Sequence, residues 1–249
     1  EKPCKRVKPP KNINNNNEQI TESNTKYYDE NQTLLLLDII KDEAIKYQIA
    51  VNIAIFCGLR LGEILGMTWN DIDFDNKSLS VNKSRSYTKD KGMFTKYPKN
   101  ISSKRMLSIP DVLVKQLQEY KVLQNGEKAS CGDLWSEEWD KTPWLLTQWN
   151  GEGMYYSTLT DWLFKTIKKY NNGIDNNEDI PKEEKENYKL PVISFHKLRH
   201  TSATLLIGQN TDIRTVSARL GHAQTSTTLN IYVHGLNSLD LKASNSLEN

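Results

Sequence analysis

From Asp29 onward the apolar residues fall at helical spacing. Two helices fit, over 30–41 and 43–57, with Gly58 as the stop of the second, and a short helix follows over 60–67. Then the period changes to two. Residues 70–74, 78–86 and 103–109 read as three short strands of a small antiparallel sheet. Asp75 and Asn76 supply the first turn, a long basic loop joins the second and third strands, and Pro110 ends the third. Helical spacing returns over 111–124, 157–170, 196–208, 212–220 and 225–233. Ile213, Val216 and Leu220 share one helix face, which predicts core. The pattern predicts a mainly α fold with a small antiparallel β-sheet near its N-terminal side.

Outside this pattern stand two irregular stretches. Residues 1–25 are polar and Asn-rich, with Pro3, Pro9 and Pro10, and read as an interdomain linker. Trp135, Trp139, Trp144 and Trp149 gather in a region without periodicity, where core packing is the expected role. Residues 171–190 read as an insertion. The chain opens inside a Pro/Lys-rich tract without methionine and is read as a fragment lacking its N-terminal part.

Composition narrows the class. The chain has 249 residues with 37% hydrophobic and 9% aromatic content, enough for a sizeable core. Three scattered cysteines, with no Cys-x-x-Cys pair, argue against a disulfide framework and predict a cytoplasmic protein. The longest apolar stretch, Ile49 to Cys57, contains Asn52 and is too short to span a bilayer. A net charge of +2 hides an uneven distribution. Lys83, Arg85, Lys89, Lys91, Lys96, Lys99, Lys104 and Arg105 face one acid, Asp90, while 175–186 is strongly acidic. Such a run is either solvated surface or a face for an anionic partner.

All four histidines lie between 196 and 234. His196 and Arg199 are three apart on a predicted helix and share a face. His196 and His200, four apart, also suit a metal pair. The metalloprotease pattern needs Glu after the first His, and Lys197 stands there instead, so no metal site is expected.

The run HKLRHTSATLL, followed by RLGH and TTLNIYVH, resembles the C-terminal signature of the tyrosine recombinase (phage integrase) family. GLRLGEILGMTWNDID, residues 58–73, is similar to that family's first arginine box, and KNISSKRMLSIP, residues 99–110, to its strand-turn-strand lysine element. The likeness runs from about residue 29 to 240, in the family's order. It implies a linker over 1–25 from a core DNA-binding domain and a catalytic domain over 26–249. It also implies the catalytic set Arg60, Lys99, His196, Arg199, His222 and Tyr232, with Lys96 and Lys104 close enough to share the role of Lys99.

The chemistry suits those roles. Two guanidiniums fork onto the oxygens of a phosphodiester and stay charged at any working pH. Tyr232 attacks phosphorus, His196 takes the phenol proton, His222 hydrogen-bonds the phosphate, and Lys99 protonates the leaving 5′-oxygen. No cofactor is implied. Double-stranded DNA is the implied partner, gripped by Lys83, Arg85, Lys96, Lys104 and Arg105, with a homotetramer on DNA and a monomer without it. Glu63 is expected to pair with Arg60, and His200 to be packed structurally. The rival readings are a type IB topoisomerase, which reseals the original strand, and a DNA-binding module without catalysis.

Overall fold

The computed structural model describes residues 27–97, 104–222 and 225. The first helix, α1 (Glu30–Ile40), starts at a reciprocal cap: the Asp29 carboxylate accepts the Gln32 N–H at 2.8 Å, and the Gln32 side chain accepts the Asp29 N–H at 3.1 Å. Helix α2 (Ile45–Cys57) is apolar on nearly every side and runs through the core. It packs against α1, the short α3 (Leu61–Leu65), the long α4 (Asp111–Cys131) and α7 (Phe195–Gly208). Between α4 and α7 lie α5 (Glu138–Lys141) and α6 (Tyr156–Asp175), and α8 (Ile213–Leu220) follows α7.

Helix α2 ends at Gly58, whose φ of +63° is left-handed. A Cβ there would lie 2.6 Å from Cδ2 of Leu220 on α8. The backbone penalty for a left-handed non-glycine residue is about 1–2 kcal/mol. Gly58→Ala should therefore lower stability by about 2 kcal/mol, read as a shifted urea midpoint at unchanged m-value. A shift below a quarter of that size would mean the α2–α8 junction relaxes freely.

The strands form two sheets rather than the expected single one. Strands β1 (Ile72–Asp73), β2 (Ser78–Val81) and β5 (Arg105–Ser108) pair antiparallel in the order β1-β2-β5, with Ile72, Leu79 and Leu107 aligned across them and buried. Strand β3 (Ser84–Thr88) pairs with β4 (Gly92–Lys96) as a separate hairpin, inside what reads in sequence as a strand end and a basic loop. The break falls at Asn82 and Lys83, whose side chains both turn to the Asp71 carboxylate, at 2.9 and 2.8 Å. The hairpin lies on α3, where a Cβ at Gly62 would meet the Arg85 carbonyl oxygen at 2.6 Å.

Helix α4 continues past Asn125 and Gly126, where the sequence reading stops it. Buried Gln124 pins it through Trp69, Thr147 and the carbonyl of Leu145, and Lys128 in its last turn pairs with Asp140. Helix α6 likewise runs into 171–190. That insertion folds back as a satellite: Ile174, Ile180 and Tyr188 pack together, and the Asn171 amide clamps both backbone groups of Leu190. Trp135 and Trp144 are buried and Trp139 packs on the core, whereas Trp149 is exposed. Ala203, Ile207, Val216 and Leu220 join α7 to α8, with Ile213 packed against them, as the helical spacing predicts. Among the described residues no helix is long and apolar enough to cross a membrane.

Candidate active site

Arg60 is the N-cap of α3, two residues after the left-handed Gly58. Glu63 accepts its backbone N–H at 2.8 Å and its Nη1 at 3.0 Å. The Arg60 side chain stays 43% exposed, while that of Glu63 is only 9% exposed. The expected Arg60–Glu63 pair is thus present, but Glu63 has a second cation. Arg105 on β5 forks onto the same carboxylate, at 3.2 Å to Oε1 and 2.9 Å to Oε2. Burial pushes the Glu63 carboxyl up, yet the hydrogen bonds and charge of Arg105, and then Arg60, hold it below the usual carboxylate range.

Helix α7 presents His196, Arg199 and His200 three and four residues apart, on one face. Arg199 turns inward and is 3% exposed. Its Nη1 donates to the carbonyl of Gly58 and its Nη2 to that of Leu220, both at 2.7 Å, so one guanidinium ties the ends of α2 and α8. The rings of His196 and His200 meet edge to face at 5.1 Å. His222 follows Gly221, the C-cap of α8, and its N–H donates to the Ser217 carbonyl at 3.1 Å.

Electrostatic coupling joins these groups. Burial first, then Arg199 and Arg60, depress the His196 imidazolium below the usual histidine range. Burial, Arg199 and Arg60 push His222 down to about 4; burial and His196 push His200 to about 4. All three imidazoles are therefore neutral at pH 7. In an unfolded chain they titrate near 6.5. Between those values the unfolded state binds more protons, so stability is complete above pH 6.5 and is lost as pH falls toward 4. Glu63 and Asp71 are held below the usual carboxylate range by their cations, which adds to that loss only at its acid end. We expect the melting temperature to fall between pH 7 and pH 5, and His200→Asn to flatten that fall. An equal slope in the variant would remove His200 from the account.

Arg60 and His196 line one cleft of about 630 Å³ with Lys83, Lys96, Tyr97 and Tyr156. Of the cations expected to grip DNA, Lys96 and Lys104 are exposed. Three others have internal partners. Lys83 pairs with Asp71 at 2.8 Å, Arg85 donates to the Met154 carbonyl and stacks 4.6 Å from Trp144, and Arg105 is held by Glu63. Lys99, Tyr232 and the helix expected over 225–233 lie outside the described residues, apart from Thr225. So does the 1–25 linker. Among the described residues no three His, Cys, Asp or Glu side chains gather as metal ligands.

Sequence reasoning missed the Glu63–Arg105 fork and the place of Arg219, which donates to the carbonyls of Phe56 and Ser108. A buried acid in the arginine box was the available signal for the first.

Comparison with known proteins agrees with this geometry. A tyrosine recombinase XerC-like protein of Caldanaerobacter subterraneus subsp. tengcongensis is 34% identical over 71% of this chain and 42% of its own length. The ICEBs1 integrase of Bacillus subtilis is 26% identical over 86% of this chain and 52% of its own. The chain thus spans about half the length of the curated relatives it matches. Among solved structures, the Tn1549 transposon integrase in complex with circular intermediate DNA superposes with a TM-score of 0.65 at 23% identity, over 84% of this chain and 63% of that one. XerA recombinase gives 0.59 at 18% identity, over 87% and 62%. These two share the fold, a mainly helical domain with small antiparallel sheets. The phage integrase family model matches residues 26–238, through both the arginine box and the His-x-x-Arg-His helix, and the chain belongs to that family.

Proposed function

We propose that this chain is the DNA-cleaving and rejoining part of a site-specific tyrosine recombinase, of the integrase type carried by mobile elements. The observation that carries the reading is that Arg199 on α7 bonds the carbonyls of Gly58 and Leu220, which gathers Arg60, His196, Arg199 and His222 from α3, α7 and the end of α8. Tyr232 attacks the scissile phosphorus. The 5′-oxygen leaves with the proton of Lys99, and the cleaved strand remains as a 3′-phosphotyrosine. The freed 5′-hydroxyl of a partner strand then attacks that linkage, displacing the tyrosine and passing through a Holliday junction. One phosphoester replaces another at each step, so the chemistry calls for neither ATP nor metal.

His196, neutral at pH 7, is free of the proton that would bar it from acting as base. His222, also neutral, donates a hydrogen bond to the phosphate. The partner is double-stranded DNA in the cytosol, held by backbone contacts that weaken with salt. Lys96 and Lys104 are the exposed cations for that grip, with Lys83 and Arg85 acting from their internal pairings. A core-binding domain joined through 1–25 adds the base contacts. Four copies assemble on two DNA sites, coupled through the segment after Tyr232.

The test is incubation with supercoiled plasmid in EDTA, followed by a denaturing gel. Relaxed plasmid and protein joined to a 3′-phosphate are expected. Linkage to a 5′-phosphate, or nicks that need a divalent ion, would refute the mechanism. Relaxation without exchange between two sites would favour the topoisomerase, and binding without an adduct, in this chain and in the full-length protein, the inactive module.

A further inference from the structure

Arg105 reads in sequence as one more cation of a basic run. Its surroundings say otherwise. Its side chain is 7% exposed. Nη1 and Nη2 take both oxygens of Glu63, and Nε donates to the carbonyl of Arg219 on α8 at 2.7 Å. A Cβ on Gly221, the left-handed residue that ends α8, would sit 2.8 Å from Arg105 Nη1 and 3.1 Å from its Cζ. The backbone that delivers His222 is therefore laid directly on this guanidinium. Through Glu63 the same guanidinium reaches Arg60, whose Nη1 is 3.0 Å from Oε1.

Charge explains why the arrangement matters. A lone Arg60–Glu63 pair is neutral and offers a phosphate little. With Arg105 on the other side, two cations share one carboxylate, and the group keeps a net positive charge facing the cleft. Arg105 also takes both carboxylate oxygens, which leaves Glu63 a fixed position from which to hold Arg60. A lysine carries the charge but cannot fork.

We propose that Arg105 is a positioning residue for the reaction: it holds Glu63 so that Arg60 meets the scissile phosphate with its charge uncancelled, and it seats the end of α8 that carries His222. This rests on the recombinase reading above. It replaces a phosphate contact by Arg105, and the two roles separate by experiment.

Arg105→Gln and Arg105→Lys are made in the wild-type chain and in an Arg60→Ala background. DNA affinity is followed against salt, adduct formation at saturating DNA, and the His222 titration by NMR without DNA. The expected result is unchanged affinity and salt slope, with adduct formation about 30-fold slower for Gln and partly restored for Lys. In the Arg60→Ala background the Gln change should cost less than about threefold, because the partner it positions is gone. The His222 midpoint should rise, since a cation beside it is lost.

A salt slope lower by about one would mark a phosphate contact and overturn the proposal. So would an equal loss in both backgrounds, which is what a plain folding defect gives. If the Gln variant fails to fold, the Lys variant is read by its adduct rate in the two backgrounds. Should neither the wild-type chain nor the full-length protein give an adduct, the recombinase reading fails on its own. The salt slope and the His222 titration still decide for Arg105: a lower slope or an unmoved midpoint overturns its role.

Discussion

Tyr232→Phe should bind DNA as the wild type does and form no covalent adduct. In the proposed mechanism the phenol oxygen is the atom that becomes bonded to phosphorus, and phenylalanine has nothing in its place. A loss on the order of 10⁴-fold or more is the scale expected when a nucleophile is removed while the rest of a site remains. At pH 7 a free phenol is only about 0.1% ionised, so the tyrosine depends on its surroundings. In the proposed site the described residues supply them. Arg60 and Arg199 add positive charge, and His196 is neutral and able to accept the proton. Binding draws on backbone contacts that Phe leaves intact, so affinity and its salt slope should stay within twofold of wild type. The check is a denaturing gel for protein-linked DNA beside a binding titration. An adduct of wild-type yield in the Phe variant would place the nucleophile elsewhere.

Much of this arrangement was legible in the chain because it rests on local periodicity. The apolar spacing of α2 and α7 locates Gly58 at one helix end and His196, Arg199 and His200 on one face of another. The Arg60–Glu63 pair is an i,i+3 contact and could be read from spacing alone. The hairpin β3–β4 could not. Its residues are half exposed or exposed on both faces, so no alternation of apolar and polar positions marks it. It continues β2 in sequence, and only the capture of Asn82 and Lys83 by Asp71 breaks it away. Helix α4 overran its predicted end because Gln124 is anchored by tertiary contacts, which outweigh the turn preference of Asn125 and Gly126.

Arg105 shows the same limit for the site. In sequence its neighbours Lys96, Lys99 and Lys104 make it one of a basic run. Its carboxylate partner is 42 residues upstream, on α3. A charge run cannot tell which member turns inward, because that is settled by where a buried acid lies. Lys83 and Arg85 follow the same rule, one meeting Asp71 and the other Trp144 and the Met154 carbonyl.

Arg199 should prove costly to replace in two separable ways. Its guanidinium bridges the Gly58 and Leu220 carbonyls at 2.7 Å each, at the C-terminal ends of α2 and α8, where a cation also suits the helix dipoles. Truncation to alanine leaves both buried acceptors without that donor, at about 1–3 kcal/mol apiece, so Arg199→Ala should lose about 3 kcal/mol of stability. Arg199→Lys keeps the charge but cannot span two carbonyls, and should lose about half as much. Catalysis should fall with a different pattern. If the guanidinium also stabilises the phosphorane-like transition state, both variants lose 10²- to 10³-fold in adduct formation at saturating DNA, the usual scale for a preorganised donor. A purely structural strut predicts otherwise: once the variants are assayed well below their melting temperatures, the rate returns to within tenfold of wild type. Urea unfolding and single-turnover cleavage on the same preparations separate the two. Both losses in Arg199→Lys, with the rate loss the larger in free energy, would show that one buried arginine fastens the helix ends and presents its charge to the phosphate.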